Sequence, residues 1–366
     1  MKIIVLQDYL RSGGTERQSV LLSGSFARLG HAAGLVTFRP GGRLAPAPEA
    51  HRRSLQPFDT GVDWFAPGLS RAVDGSDIVL CMGKTANCFA GRIQGKATAR
   101  GTRTRVVATL RAGNALPSLY YNSVRRAAHL VANSREAADA LVSGHGLDAA
   151  RVSVIHNSLV FPPSGEASRS EVRRTLGAGE RSTVLLSVAM FRPEKNQGAL
   201  LRMAAGLPAG LDWRLWLAGE GPCKESCEAL ARSLGISDRV RFLGFSEDPR
   251  PLYAAADVAV HASREEALCN FLIEAQAHGL PAVAYRALGI RECFLEGRTG
   301  WMLEHGDADG FREAVARASA GSPESRAARS EEASQFARNA FDPARQVSAY
   351  MSLFESLLAA PNPRSR

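Results

Sequence analysis

Glu266-Ala-Leu-Cys-Asn-Phe-Leu-Ile-Glu274 lies between a strand-like run, Asp257-Val-Ala-Val-His-Ala262, and the helix-stopping Gly279-Leu-Pro281. Two carboxylates separated by seven residues thus straddle a loop-to-helix junction. Backbone N–H groups at such a helix start, around Asn270, Phe271 and Leu272, favour a diphosphate through unpaired donors and the helix dipole. Glu266 on the loop and Glu274 one turn inside the helix can then hold neutral hydroxyls on either side of it. A nucleotide-sugar carries hydroxyls on both sides of its diphosphate, on ribose and on sugar. Taken alone, two glutamates here also fit ordinary acids complementing the helix dipole.

Working outward, the junction belongs to a series of strand-like runs: Thr183–Val188, Arg214–Ala218, Val240–Leu243, Val258–His261 and Pro281–Tyr285. An earlier series runs through Ile3–Leu6, Ala33–Phe38, Ile78–Met82, Arg105–Leu110, His129–Ala132 and Val152–Ile155. Amphipathic stretches such as Thr15–Leu29 and Ser134–Ser143 alternate with them, with Ser134 as a helix cap. This pattern predicts parallel sheets covered by helices. Between the series, His156-Asn-Ser-Leu-Val-Phe-Pro-Pro-Ser-Gly165 has no period and carries two prolines, as a linker does. The reading is α/β: an N-terminal domain over 1–160, a C-terminal one over 161–345, and a closing helix at 346–366 packed back on the first. Both domains are Rossmann-like and doubly wound, facing across a cleft. Ligands of such sheets bind at the carboxyl ends of strands.

Composition agrees with this size. A chain of 366 residues, 45% hydrophobic and 22% charged, accommodates two globular domains. No apolar run approaches the roughly 20 residues of a membrane span. The first strand begins beside Met1, which leads us to expect no signal peptide. The six cysteines show no paired metal-ligand spacing; we expect reduced thiols, a cytoplasmic protein and no metal site. Charge is uneven: residues 1–160 hold 20 Lys+Arg against 10 Asp+Glu, whereas 161–366 hold 25 against 26. Arg92, Lys96, Arg100, Arg103, Arg105 and Arg111 cluster in the basic half. Such a face suits an anionic membrane surface or a lipid diphosphate, or is simply solvated. Nucleic acid is disfavoured: there is no recognisable binding module, and only 7% of residues are aromatic.

Further motifs fall after strands. Ser12-Gly13-Gly14-Thr-Glu-Arg17 opens the first helix, where glycine admits close backbone approach. Phe191-Arg-Pro-Glu-Lys-Asn196 offers Lys195 to a pyrophosphate, an electrostatic role needing no proton transfer. Leu217-Ala-Gly-Glu-Gly-Pro222 and Arg241-Phe-Leu-Gly-Phe245 follow two further strands. Gly289-Ile-Arg-Glu292, Gly297-Arg-Thr-Gly-Trp301, Asn133-Ser134 and His156-Asn157 complete the set.

In this order the segments resemble those of the retaining family-4 glycosyltransferases, enzymes of the GT-B fold, from about residue 3 to 303. The family's E-G-F-P-N-V-L-L-E-A-M-A-x-G-x-P stands in register with Glu266, Asn270, Glu274, Gly279 and Pro281. Ala267 and Cys269 replace the usual Gly and Pro, and Leu288 replaces a Gly. Met190 stands where a phosphate-binding Arg is usual; Arg192, two residues on, supplies that guanidinium only if the loop bends differently. The resemblance implies that Glu274 binds ribose and Glu266 a donor-sugar hydroxyl. It implies that Lys195, with Arg192, stabilises the leaving diphosphate beside Asn270, Phe271 and Leu272. Gly13 and Gly14 would face the donor phosphates and acceptor, and Gly219, Gly221 and Phe245 would shape the nucleotide pocket. Arg100, Arg103, Arg105 and Arg111 would line the acceptor or membrane side. A nucleotide-diphosphate sugar, UDP-linked by family frequency, is the implied donor. A glycan or lipid-linked molecule of envelope polysaccharide or lipopolysaccharide synthesis is the implied acceptor. No cofactor and no essential divalent metal are implied, and the protein would be cytoplasmic or peripheral at the inner membrane face. Two alternatives stay open: a nucleotide-sugar 2-epimerase, and a degenerate transferase serving as a sugar-nucleotide-binding partner subunit.

Overall fold

A computed structural model describes residues 1–11, 13–45, 47–111, 116–159 and 168–360. Ser12, residues 160–165 of the expected linker and the tail 361–366 lie outside them. The chain divides into two compact units, Met1–Val160 with Pro343–Arg366, and Phe161–Asp342.

The first unit holds β1 (Lys2–Gln7), β2 (Ala32–Thr37), β3 (His51–Ser54), β4 (Ile78–Cys81), β5 (Arg105–Leu110), β6 (His129–Ala132) and β7 (Val152–Val154). They form one sheet in the order β3-β2-β1-β4-β5-β6-β7, every pair parallel. Runs such as Ile78–Cys81 and Arg105–Leu110 are buried throughout, as expected of strands covered on both faces. The helix Pro343–Ala359 belongs to this unit, starting three residues ahead of the expected 346, with proline at its start. Its Tyr350 and Phe354 rings lie 6.4 and 5.5 Å from that of Phe26. Gln346 Nε2 donates to Gln18 Oε1 and to the His156 carbonyl, both at 2.8 Å.

Two of the expected surface cations are instead structural. Arg105 is buried, and its guanidinium donates to the Leu357 and Ala360 carbonyls at 3.2 Å each. Arg111 donates to Tyr350 Oη at 2.8 Å and to Asn157 Oδ1. Both hold the end of the chain against the first sheet, so neither contributes to a basic outer face. Arg100 and Arg103 are exposed, beside Asp74 and Asp77 at 3.5 and 3.2 Å.

The second unit holds β8 (Thr183–Val188), β9 (Trp213–Ala218), β10 (Val240–Gly244), β11 (Val258–His261), β12 (Ala282–Tyr285) and β13 (Gly300–Leu303). Their order is β10-β9-β8-β11-β12-β13, again all parallel. Each sheet reverses its winding once, between β1 and β4 and between β8 and β11. At such points the loops diverge to opposite faces and leave a crevice beyond the strand ends. The start of β11 is tied to β8 by Asp257, which accepts from Val184 N at 2.7 Å and from the buried Arg173 at 3.1 Å.

The structure adds two strands to those expected, β3 and β13. Both are four-residue edge strands, and β3, His-Arg-Arg-Ser, has no apolar residue to signal it. The expected helix Ser134–Ser143 is α-helical over Arg135–Asp139 and then widens to a π turn over Ala140–Gly144. Ser134 caps it, accepting from Ala137 N at 3.1 Å. No helix among the described residues is long and apolar enough to cross a membrane.

Candidate functional site

The two winding reversals differ in what fills the helix start beside them. In the first unit, Asp8 follows β1 and accepts from Thr85 N and Ala86 N at 3.0 and 2.8 Å, at the start of helix Lys84–Ala99. Burial raises the Asp8 carboxyl, with those two amides opposing. A Cβ on Gly83 would lie 2.2 Å from Asp8 Oδ1, so glycine is what admits the carboxylate. That helix start already has its anion.

In the second unit the corresponding helix, Asn270–Ala277, has Cys269 at its N-cap, with no side-chain capping hydrogen bond. Cysteine lacks the oxygen that usually satisfies these donors. The side chains of Phe271 and Leu272 are buried in the unit, leaving only their backbone to meet a ligand. Asn270 and Glu274 are half-buried.

Glu266 and Lys195 meet at this reversal. The turn Pro193–Lys195 follows β8 and ends at Asn196, whose φ of 51° is the one positive value outside glycine among the described residues. The loop after β11 is fastened to that turn: Arg264 N donates to the Glu194 carbonyl at 2.8 Å, and Ser263 Oγ to the same oxygen at 3.2 Å. Lys195 Nζ thereby lies 2.6 Å from Glu266 Oε1, with the two side chains 23% and 11% exposed. Burial by itself would raise the Glu266 carboxyl. The Lys195 charge and hydrogen bonds from His261 and Lys195 overcome that and hold it at about 2. Burial likewise opposes the charge on Lys195, and Glu266 reverses the outcome, raising its pKa. Each charge is stable because of the other.

Sequence reasoning missed two partners. His261, at the end of β11, places Nε2 2.8 Å from Glu266 Oε1; since a carboxylate only accepts, Nε2 carries the proton. Tyr253, on helix Arg250–Ala255, donates from Oη to Glu274 Oε2 at 2.7 Å. Its ring stacks 6.2 Å from Phe271. The signal for His261 was present, a lone polar side chain at the carboxyl end of a buried strand beside the reversal. For Tyr253, 21 residues from its partner, no spacing rule applies.

The other expected residues distribute as follows. Gly219 and Gly221 have φ of 142° and 151°, and Cβ atoms there would lie 2.0 and 2.3 Å from the Ala189 and Phe191 carbonyl oxygens. Their glycines are required for packing the loop after β9 on the loop after β8. Phe191 N donates to the Glu220 carbonyl at 2.9 Å in the same contact. Phe245 is half-buried just beyond β10. Arg192 is 46% exposed, 3.9 Å from Glu194 Oε1. Met190 is 40% exposed on the same loop. Gly13 and Gly14 open helix Gly14–Arg28 in the first unit, where a Cβ at Gly13 would lie 2.4 Å from Glu16 Oε2.

His261, Glu266 and Cys269 bring their ligating atoms within 4.8 Å of one another, a grouping able to hold a metal ion. Lys195 already places a cation on that carboxylate. Burial moreover pushes the Cys269 thiol well above its ordinary range, keeping it protonated. The arrangement is therefore one of a fixed positive charge, a buried carboxylate, a second carboxylate held by a tyrosine, and a helix start.

Both units match known protein families. Residues 168–336 match the model described as Glycosyl transferases group 1, and residues 12–159 the model described as Glycosyltransferase Family 4. The lipopolysaccharide core biosynthesis glycosyltransferase LpsE of Rhizobium meliloti is 37% identical over 143 residues, 39% of this chain and 41% of that protein. A D-inositol 3-phosphate glycosyltransferase of Mycobacterium sp. (strain KMS) is 34% identical over 200 residues, 52% of this chain and 45% of its own length. The matched region thus spans less than half of either relative. Among solved structures, Anabaena HepE in complex with UDP-glucose superposes with a TM-score of 0.80 at 21% identity, covering 97% of this chain and 100% of that one. That likeness is one of fold.

Proposed function

The chain belongs to the GT-B glycosyltransferases, a family 4 domain followed by a group 1 domain, and on that premise we propose that it transfers a sugar from a nucleotide-diphosphate donor with retention at the anomeric carbon. The observation that carries the proposal is the Lys195–Glu266 ion pair at the β8/β11 reversal, beside a helix start without a side-chain cap. The diphosphate lies against the amides of Asn270, Phe271 and Leu272, with Lys195 turned onto it. Glu274, steadied by Tyr253, takes the ribose hydroxyls. Glu266 accepts from a sugar hydroxyl, its position fixed by His261. The bond from anomeric carbon to phosphate oxygen breaks, and the acceptor oxygen bonds to the same face of that carbon. The acceptor proton passes to the departing phosphate oxygen, so no protein base is required. Lys195 and the amides stabilise the charge that develops on the diphosphate. Positive charge is supplied by the chain itself, and no divalent metal is invoked.

UDP-glucose bound in the Anabaena protein supports a UDP-sugar as donor. Lipopolysaccharide core biosynthesis by the Rhizobium relative supports a glycan or lipid-linked acceptor of the cell envelope. Met190, in place of the usual arginine, motivates the second reading, a weakened or inactive sugar-nucleotide-binding subunit. Incubation with a panel of nucleotide-sugars, followed by NMR at the anomeric position, tests the proposal. Donor consumption with an anomeric configuration retained in the product supports it; a sugar epimerised at C2, or no turnover with any donor, contradicts it. Met190→Arg separates the two readings: a large gain in turnover marks a weakened enzyme, and unchanged zero activity marks the binding subunit.

A further inference from the structure

His261 ends β11, Glu266 lies on the loop after it, and Cys269 is the N-cap of helix Asn270–Ala277. An imidazole, a carboxylate and a thiol thus converge from a strand end, a loop and a helix start. Among the described residues this is the one grouping of three such side chains within 4.8 Å. His261 Nε2 is already 2.8 Å from Glu266 Oε1. A tetrahedral zinc, with bonds of about 2.0–2.3 Å, sets its ligands roughly 3.3–3.6 Å apart, so side-chain shifts of about 1 Å bring the three onto one ion. The loop carrying Glu266 is fixed at Ser263 and Arg264, both bonded to the Glu194 carbonyl. In the resting site, the Lys195 ammonium and the thiol proton stand where such an ion would bind.

We propose that this cluster binds a thiophilic divalent ion of the zinc class in exchange for the Lys195 ammonium. Metal bonds form to His261 Nε2, Glu266 Oε1 and Cys269 Sγ, and no oxidation state changes. The imidazole proton moves to Nδ1, the thiol proton passes to solvent, and Lys195 swings out still charged. Lys195 is the most exposed of the four side chains, so the ion enters where the ammonium leaves. Water takes the fourth position. The donor set chooses the ion: imidazole and thiolate select zinc or a like metal over magnesium or calcium. Burial of the thiol sharpens that choice, because only a strong thiolate binder displaces its proton. The family segments that this stretch resembles carry proline at the position of Cys269, so the site is this chain's own. One consequence rests on the transferase reading: an ion held there takes Glu266 from the sugar hydroxyl and Lys195 from the diphosphate, and halts transfer.

Cobalt(II), a spectroscopic stand-in for zinc, is titrated into the full chain with a phosphine reductant and no nucleotide. The expected result is the visible bands of tetrahedral cobalt with a thiolate-to-cobalt charge-transfer band. Equimolar zinc abolishes these bands, and excess magnesium does not. Cys269→Ser and His261→Gln each weaken cobalt binding roughly a hundredfold, at or beyond the loss of an outer-shell partner. Lys195→Met strengthens it roughly tenfold, as removal of a like charge a few Å away requires. That gain keeps the test decisive even where a ligand variant unfolds, because misfolding does not create affinity. Absence of the bands overturns the proposal, as do bands that persist undiminished in folded Cys269→Ser. Lys195→Met affinity equal to or below that of the wild type also overturns it, since the ion then does not replace the ammonium. Displacement by magnesium overturns it in favour of an oxygen site. None of these readouts needs a donor, so their failure leaves the transferase reading standing. With a donor that turns over, zinc slows the wild type more than Cys269→Ser; equal slowing contradicts the inhibitory consequence.

Discussion

Lys195 and Glu266 stand 71 residues apart in sequence and 2.6 Å apart in space, and the chemistry of the site follows from that contact. Removing the ammonium in Lys195→Met leaves a buried carboxylate whose remaining support is His261, so the Glu266 pKa rises. Turnover falls by about 10²–10³, the range for losing one group that stabilises developing charge. Single-turnover kinetics check this; an effect on donor affinity alone would assign Lys195 to binding. The pH dependence has a definite sign. Glu266 titrates lower in the folded chain than its ordinary 4.5, so its contribution to stability is complete above about 4.5 and is lost as pH falls toward about 2. Lys195 is raised above 10.5, so its contribution is complete below 10.5 and fades at higher pH. The stability advantage of the wild type over Glu266→Gln should therefore shrink from pH 6 to pH 3 in urea unfolding; a constant gap contradicts the ion pair. His261→Leu strips a hydrogen bond from a buried carboxylate, a loss of about 1–3 kcal/mol, and should raise KM for the donor more than it lowers kcat. His261→Gln restores part of it; equal damage by both variants would reduce His261 to packing. At this scale the sequence singled out Glu266, Glu274 and Lys195 through motifs that resemble a family's, and the structure brings Lys195 and Glu266 into contact. Tyr253 and His261 act through contacts between strand ends, which spacing along the chain does not encode.

Elements explain why these loops hold still. Gly219 and Gly221 sit at φ values closed to other residues, with carbonyl oxygens of the β8 loop where side chains would begin. Gly221→Ala is expected to destabilise the second unit by about 3 kcal/mol or more through strain and backbone clash, read as a lowered urea midpoint. A neutral result would mean the loop is free to move. The glycine motif was thus legible as a turn, while its first task proves to be packing. Most buried strands were legible to within a residue or two, because continuous apolar runs mark strands covered on both faces. β3 was not, since an exposed four-residue edge of His-Arg-Arg-Ser carries no periodic signal. Nor did the sequence distinguish the two helix starts. Only the fold reveals that Asp8 fills the one at Lys84 while Cys269 leaves the other without a side-chain cap.

Across the whole molecule, the surplus charge of the first 160 residues divides by burial, a property that sequence clustering does not resolve. Arg105 and Arg111 fasten the C-terminal helix to the first sheet, and Arg71, Arg92 and Lys96 face outward. Arg105→Ala is therefore expected to cost about 2–3 kcal/mol of stability, by leaving the Leu357 and Ala360 carbonyls without their charged donor. Thermal unfolding detects this; an unchanged melting temperature would return Arg105 to the surface. The central claim concerns the second unit alone: a diphosphate sugar rests on the helix start at Asn270, with Lys195 and Glu266 on one side and Glu274 on the other. Calorimetric titration of UDP-sugars into the wild type, Lys195→Ala/Glu266→Ala and Glu274→Ala tests it most directly. The account predicts saturable binding to the wild type and a loss of roughly tenfold or more for each variant, the scale of one charged hydrogen bond. Equal affinity of all three proteins for a donor that the wild type binds would contradict it.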